Sequence, residues 1–163
     1  MLLGVSPVVR SRWSTPSHRW VKLNVDALVS SLDHKAGVGG VIRDEFSFWL
    51  LGFTRFLGHY DVLAAALWAI HDSLLQGWNS GYSRVELESN CLEAVSIINS
   101  SSDALIGSAL VDSVKELIAR EWSIVVRHVS RVNNRVADML ASRGRGSDVA
   151  QVIFLSRLLI LHR

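Results

Sequence analysis

The chain has 163 residues, 49% of them apolar and 20% charged, an ordinary composition for a single folded domain. Its 2 prolines and lack of low-complexity tracts argue against a disordered chain. A lone cysteine, Cys91, excludes an internal disulfide and a cysteine-based zinc cluster, and no apolar run reaches the roughly 18 residues of a membrane-spanning helix.

The net charge of +2 conceals an uneven spread. Residues 1–22 hold four Lys/Arg and no acid, residues 23–114 four Lys/Arg against eleven Asp/Glu, and residues 115–163 nine against four. An acidic middle beside a basic end places a candidate cation site next to a surface that attracts phosphate, unless both are only solvated faces. The start "MLLGVSPVV" has no basic residues and is too short for a convincing signal peptide. Together with the single thiol, this leads to the expectation of an intracellular protein, nuclear or cytoplasmic, that is not secreted. The tail "VIFLSRLLIL" is apolar but short and broken by Arg157, which suits core packing or a partner surface.

In chain order, "WVKLNVDALV" from Trp20 alternates, with Lys22, Asn24 and Asp26 on one face and Leu23 and Val25 on the other, a strand pattern. "AGVGGVIRD" is a second strand whose glycines permit close backbone approach. It is not a phosphate loop, because no Lys-Ser/Thr follows and no helix begins there. "SFWLLGFTRFLG" is a third strand, joined to the second through the short polar "RDE" as an antiparallel hairpin. From Asp61, a plausible N-cap, Leu63, Leu67, Ile70 and Leu74 recur at helical spacing, and the helix is expected to end near Gly77. "RVELES" is a fourth strand, "CLEAVSIINS" and "ALVDSVKELIARE" are helices, "WSIVVRHV" is a fifth strand and "NNRVADMLASRG" a last helix. Three antiparallel strands followed by alternating helices and strands predict an α/β fold: a five-stranded mixed sheet with helices on its faces. The predicted organisation is an N-terminal linker over residues 1–18, one domain over 19–146 and an apolar tail over 147–163. Core packing suits most of the tryptophans, Trp68, Trp78 and Trp122 among them, better than a stacking platform.

Five segments in register, "WVKLNVDA", "AGVGGVIRD", "ALWAI", "VELESNCLEAV" and "VRHVSRVNNRVADMLA", resemble the ribonuclease H-like domain, in the reverse transcriptase-like version found in plant genomes and retroelements. The resemblance spans roughly residues 13–145. It implies a domain that cuts the RNA strand of RNA–DNA hybrids with two Mg²⁺ ions held by four carboxylates, assisted by a His. Two such ions activate a water and stabilise the leaving oxygen, and Mg²⁺ requires hard oxygen ligands.

Carried over residue by residue, the first-strand Asp falls on Asp26, followed by Ala27 where the family has Gly. The helix Glu of an "AELWA" motif falls on Ala66, whose methyl group cannot ligate a metal. The Asp of "ESD" falls on Asn90, whose amide lacks the charge and whose type suits a helix N-cap. The last Asp falls on Asp138, with His128, Arg131 and Asn134 completing the pattern "H..R..N...D". The resemblance thus implies Asp26, His128 and Asp138 as catalytic residues, and Asp26 and Asp138 as metal ligands, with Asn90 or Glu88 as candidate additions. Ala66 and Asn90 are degraded ligand positions. Glu88 lies two residues before Asn90, on the same strand face. Basic residues Arg43, Arg127, Arg131 and Arg135, with Asn134, are candidate nucleic-acid contacts; Lys35, Arg143 and Arg145 lie in the same regions of the sequence.

With two of four carboxylates lost, the expected function is a nucleic-acid-binding member of the hybrid ribonuclease family with weak or absent catalysis. The alternative is a non-catalytic nucleic-acid or protein interaction module, or a retroelement remnant. Ser47, in a turn where the family favours Gly, fits the latter.

Overall fold

The structure, a computed structural model, describes residues 12–101, 108–147 and 151–154. It consists of β1 (Val21–Val29), β2 (Lys35–Arg43), β3 (Trp49–His59), α1 (Val62–Asn79), β4 (Arg84–Ser89), α2 (Leu92–Asn99), α3 (Ala109–Ile118), β5 (Ser123–His128), a 3₁₀ turn (Arg131–Asn133), α4 (Arg135–Arg145) and β6 (Gln151–Phe154). The strands form one six-stranded sheet in the order β5-β4-β1-β2-β3-β6. β1, β2, β3 and β6 pair antiparallel, and β1, β4 and β5 parallel.

The expected mixed α/β sheet is present, with one strand more than the five anticipated. β6 pairs Val152 with Thr54 and Ile153 with Phe53 on the outer edge of β3. Part of the expected tail is therefore sheet; residues 148–150 and 155–163 lie outside the described residues. At the other end, residues 12–18 pack on the sheet instead of linking to it. The Trp13 indole N–H donates to Asn24 Oδ1 at 2.8 Å, Ser17 N to Glu86 Oε1 at 3.1 Å, and Pro16 is buried.

The alternation of β1 decides which helices it meets. Leu23 and Val25 face a large core with Leu67, Ile70 and Leu74 of α1, Val95 and Ile98 of α2, and Val114 and Leu117 of α3. Burying each such aliphatic side chain contributes about 2 kcal/mol before its entropy cost. Asp61 caps α1 by accepting from Ala64 N at 2.7 Å, as expected. The helix continues through Gly77, which is buried near the ring of Trp122, to Asn79, and the turn falls at Gly81 with φ +83°. Trp122 also meets Trp78 edge-to-face at 5.3 Å. At the β2–β3 turn Ser47 adopts φ +68°, the conformation that favours glycine, and Asp44 holds the turn by accepting from Phe46 N and Phe48 N at 2.9 Å.

The opposite face of the sheet is covered by α4, which lies across β1, β2 and β3. Its apolar contact is small, with Leu140 against Val41, Trp49 and Val152. What draws it close is the absence of side chains: a Cβ at Gly37 would overlap the backbone of Ala141 and Arg145, and one at Gly39 the backbone of Leu140 and Ala141. Backbone cannot move aside as a flexible side chain would. Gly39→Ala is therefore expected to destabilise the fold by ~2 kcal/mol or more and to lower the midpoint of thermal unfolding by about 5 °C or more; an unchanged midpoint would show that α4 does not sit this tightly.

Candidate active site

Asp26 is on the α4 face of β1 and is 5% exposed. Its Oδ1 accepts from Ala27 N at 2.8 Å, whereas Oδ2 is buried with no hydrogen-bond partner among the described residues. Burial, together with the like charge of Asp138 on α4, pushes its carboxyl up to about 7, against the Ala27 N–H and the Arg131 guanidinium, which pull it down. The tight seat of α4 thus puts Asp26 and Asp138 within electrostatic reach of each other.

A cleft of about 190 Å³ opens beside Asp26, lined by Ala27, Val62, Ala66, Ala69, Ser89, Asn90, Cys91 and Arg131. Ala66 and Asn90, far apart in sequence, therefore meet in the same cleft as Asp26. The donor set does not match a pair of divalent ions: Ala66 offers a methyl group, and among the described residues no three His, Cys, Asp or Glu side chains cluster closely enough to hold a metal. The unpartnered Oδ2 of Asp26, beside Asp138, suits a single cation.

The structure places the other candidates as follows. Asn90 does not cap α2. Cys91 occupies the cap position without a side-chain cap hydrogen bond, and its N–H goes to Ser89 Oγ at 3.2 Å. The amide oxygen of Asn90 instead accepts from Asn134 Nδ2 at 3.3 Å. Glu88 is turned away from the cleft, with Oε2 3.2 Å from Lys22 Nζ and Oε1 accepting from Asn24 Nδ2 at 3.0 Å. Alternation put Glu88 on the expected face, but the nearest cation claims it. His128 ends β5, exposed and in register with Ser89, the residue before Asn90.

Sequence reasoning missed the buried polar network beside the cleft. Lys22 is 1% exposed and donates to Ser14 O at 2.6 Å and Ser14 Oγ at 3.0 Å. Although burial opposes it, Ser17 N–H and the charges of Arg127 and Lys22 hold the Glu86 carboxyl below its ordinary value. The only signal was the polar face of the first strand, Lys22, Asn24 and Asp26.

A family profile described as reverse transcriptase-like matches residues 24–144. The chain belongs to the reverse transcriptase-like family. A curated Arabidopsis thaliana protein named as a ribonuclease H protein is 33% identical over 131 residues, 80% of this chain and 21% of its own length. The chain thus spans about a fifth of that relative. The crystal structure of RNase H1 from Halobacterium salinarum matches with a TM-score of 0.71 at 19% identity, covering 77% of this chain and 96% of that one. LC11-RNase H1, crystallised with an RNA/DNA hybrid, matches with a TM-score of 0.69 at 19% identity, covering 77% and 96%. The ribonuclease H-like fold expected from the five segments is the fold of this domain.

Within this reverse transcriptase-like domain the basic candidates divide. Arg43 is 8% exposed, its guanidinium over the Trp13 ring at 4.5 Å and the Trp49 ring at 5.5 Å. Asn134 is 1% exposed and hydrogen-bonded within the domain. Tertiary packing takes both largely into the interior. Arg127 is half exposed and pairs with Glu86 Oε2 at 3.1 Å. Arg131 and Arg135 are exposed, Arg131 at the cleft itself. Of the others, Lys35 lies 3.9 Å from Asp33 of the β1–β2 turn and lines one pocket with Arg145 of α4.

Since the folded-state carboxyl of Asp26 sits at about 7 against an ordinary 3.8, the folded state holds this proton more tightly than the unfolded chain. Stability is accordingly lost as pH rises between those values. Without divalent ions, Asp26→Asn is expected to be more stable than the parent at pH ~8, on the order of 3 kcal/mol, and to lose that advantage near pH ~4. Thermal unfolding at both pH values checks this; an equal difference at each would contradict it.

Proposed function

We propose that this domain binds RNA–DNA hybrid and cuts it poorly or not at all. Membership of the family supports the substrate class, and a solved structural neighbour carries an RNA/DNA hybrid. The observation that carries the loss of catalysis is the meeting of Ala66 and Asn90 in one cleft with Asp26. Asp26 and Asp138 would hold one Mg²⁺, whose chemistry is to activate a water for attack on a phosphodiester. His128, exposed at the end of β5, would serve the proton transfers. The second ion lacks two of its anionic ligands. At an effective dielectric of about 20, one charge at about 4 Å is worth around 4 kcal/mol, an upper guide because solvent screens it. Losing two such attractions removes the second ion at millimolar Mg²⁺.

The hybrid would meet Arg131 and Arg135 beside the cleft, with Arg127 on the neighbouring strand. Recognition of this kind reads backbone and 2′-hydroxyls across a shallow groove, with basic residues on the phosphates. The buried Arg43 and Asn134 act from below, by holding the surface in shape.

In a Mg²⁺-dependent assay on a labelled hybrid, the unmodified chain is expected to cleave at background. The double change Ala66→Glu with Asn90→Asp is expected to raise cleavage at least about ten-fold. Turnover on the order of 1 s⁻¹ by the unmodified chain would overturn the reading. Binding is tested separately by filter retention: raising salt from about 50 mM to about 200 mM is expected to weaken hybrid binding roughly ten-fold or more, with a shallower dependence for Arg131→Ala with Arg135→Ala. Affinity indifferent to salt would remove the phosphate surface from the account.

A further inference from the structure

Three asparagines form a chain of amides from the N-terminal segment to the cleft, and its polarity is fixed by groups that have no choice. An amide's oxygen and nitrogen exchange places easily, so their assignment rests on what surrounds them. At one end the Trp13 indole N–H, a donor only, lies 2.8 Å from the side chain of Asn24, so that atom is the Asn24 oxygen. The Asn24 nitrogen then lies 3.0 Å from Glu88 Oε1, an oxygen of the carboxylate that faces Lys22 Nζ, and donates to it. The same nitrogen donates to Asn134 Oδ1 at 3.0 Å. Independently, the Asn134 nitrogen lies 2.7 Å from the backbone carbonyl of Val25, which can only accept. Three one-way partners agree on a single arrangement.

The consequence falls on Asn90. The second proton of Asn134 Nδ2 is directed at Asn90, 3.3 Å away, and that proton requires an oxygen there. Turning the Asn90 amide over would set two N–H₂ groups against each other. With its oxygen engaged by Asn134, Asn90 has its N–H₂ group left for the cleft that it lines with Asp26, Ala66 and Arg131.

We propose that Asn134 is a positioning residue that holds the Asn90 amide with its N–H₂ edge toward the cleft, so that position 90 presents hydrogen-bond donors where a divalent cation would need an oxygen. Position 90 is then opposed to a cation, and not merely uncharged. What it can receive is a hydrogen-bond acceptor, such as a water or a phosphate oxygen. This deepens the proposed function and rests on it for the nature of the cleft, but its test involves no cleavage.

The test compares Mn²⁺ affinity, by calorimetry, for the unmodified chain and Asn90→Ala. If the amide oxygen were a ligand, removing it would weaken binding; if N–H₂ faces the cleft, Asn90→Ala leaves affinity within about two-fold or tightens it. Weakening by more than about two-fold overturns the proposal. A second measurement needs neither metal nor a variant. In side-chain amide NMR of the unmodified chain, the Asn134 N–H₂ protons, given to Val25 and Asn90, are expected to exchange slowly with solvent and those of Asn90 fast. The reverse order overturns the proposal, and this comparison decides the matter where Mn²⁺ binds too weakly to measure.

Discussion

The close seating of α4 on the glycine-lined β2 is the constraint from which the site follows. Gly37 and Gly39 let the helix backbone rest where side chains would otherwise stand, and this brings Asp138 to Asp26. The apolar contact under α4 is slight, with Leu140 and Val41 its fully buried members. Proximity here is secured less by hydrophobic burial than by room for backbone. Burial first, and the like charge of Asp138 after it, raise the Asp26 carboxyl, and that shift expresses the cost of the arrangement. A fold retains such an arrangement at a loss of stability unless something positive offsets it, and Arg131 offsets only part.

Against that background, positions 66 and 90 differ in kind. Ala66 offers the cleft a methyl group, and its neighbours Leu67, Ala69 and Ile70 pack into the core as a helix in this register should. Asn90 offers an amide that the interior has enlisted. Its oxygen serves Asn134, which in turn holds the Val25 carbonyl and, through Asn24, reaches the N-terminal segment at Trp13. On the proposed reading the cleft is uncharged on one wall and presents donors on another, with Arg131 at its mouth.

The order of elements, the alternation of β1, the cap at Asp61 and the positions aligned with the cleft could all be read from local pattern and from motifs in register. Ala66 meets Asn90 and Asp26 because a helix and two strands keep the spacing that the motifs imply. What could not be read was which polar groups pair. Arg43, Asn134 and Glu88 look like surface or site residues in isolation. Their partners lie far along the chain: Trp13 and Trp49 for Arg43, Val25 for Asn134, Lys22 for Glu88. Asn90 has the composition of a helix cap, yet a partner 44 residues away takes its oxygen. Residues 12–18 lack the alternation of a strand or the period of a helix, so nothing local announced that Trp13 and Ser17 bind the sheet. Similarly, β6 is a short edge strand within an apolar run and has no turn signal to separate it from a tail.

The central claim is that this cleft cannot hold two divalent ions at once. Anomalous diffraction from crystals grown with a hybrid and millimolar Mn²⁺ counts them directly. The account predicts at most one peak, between Asp26 and Asp138. Two fully occupied peaks about 4 Å apart, the separation of a two-metal site, would contradict it.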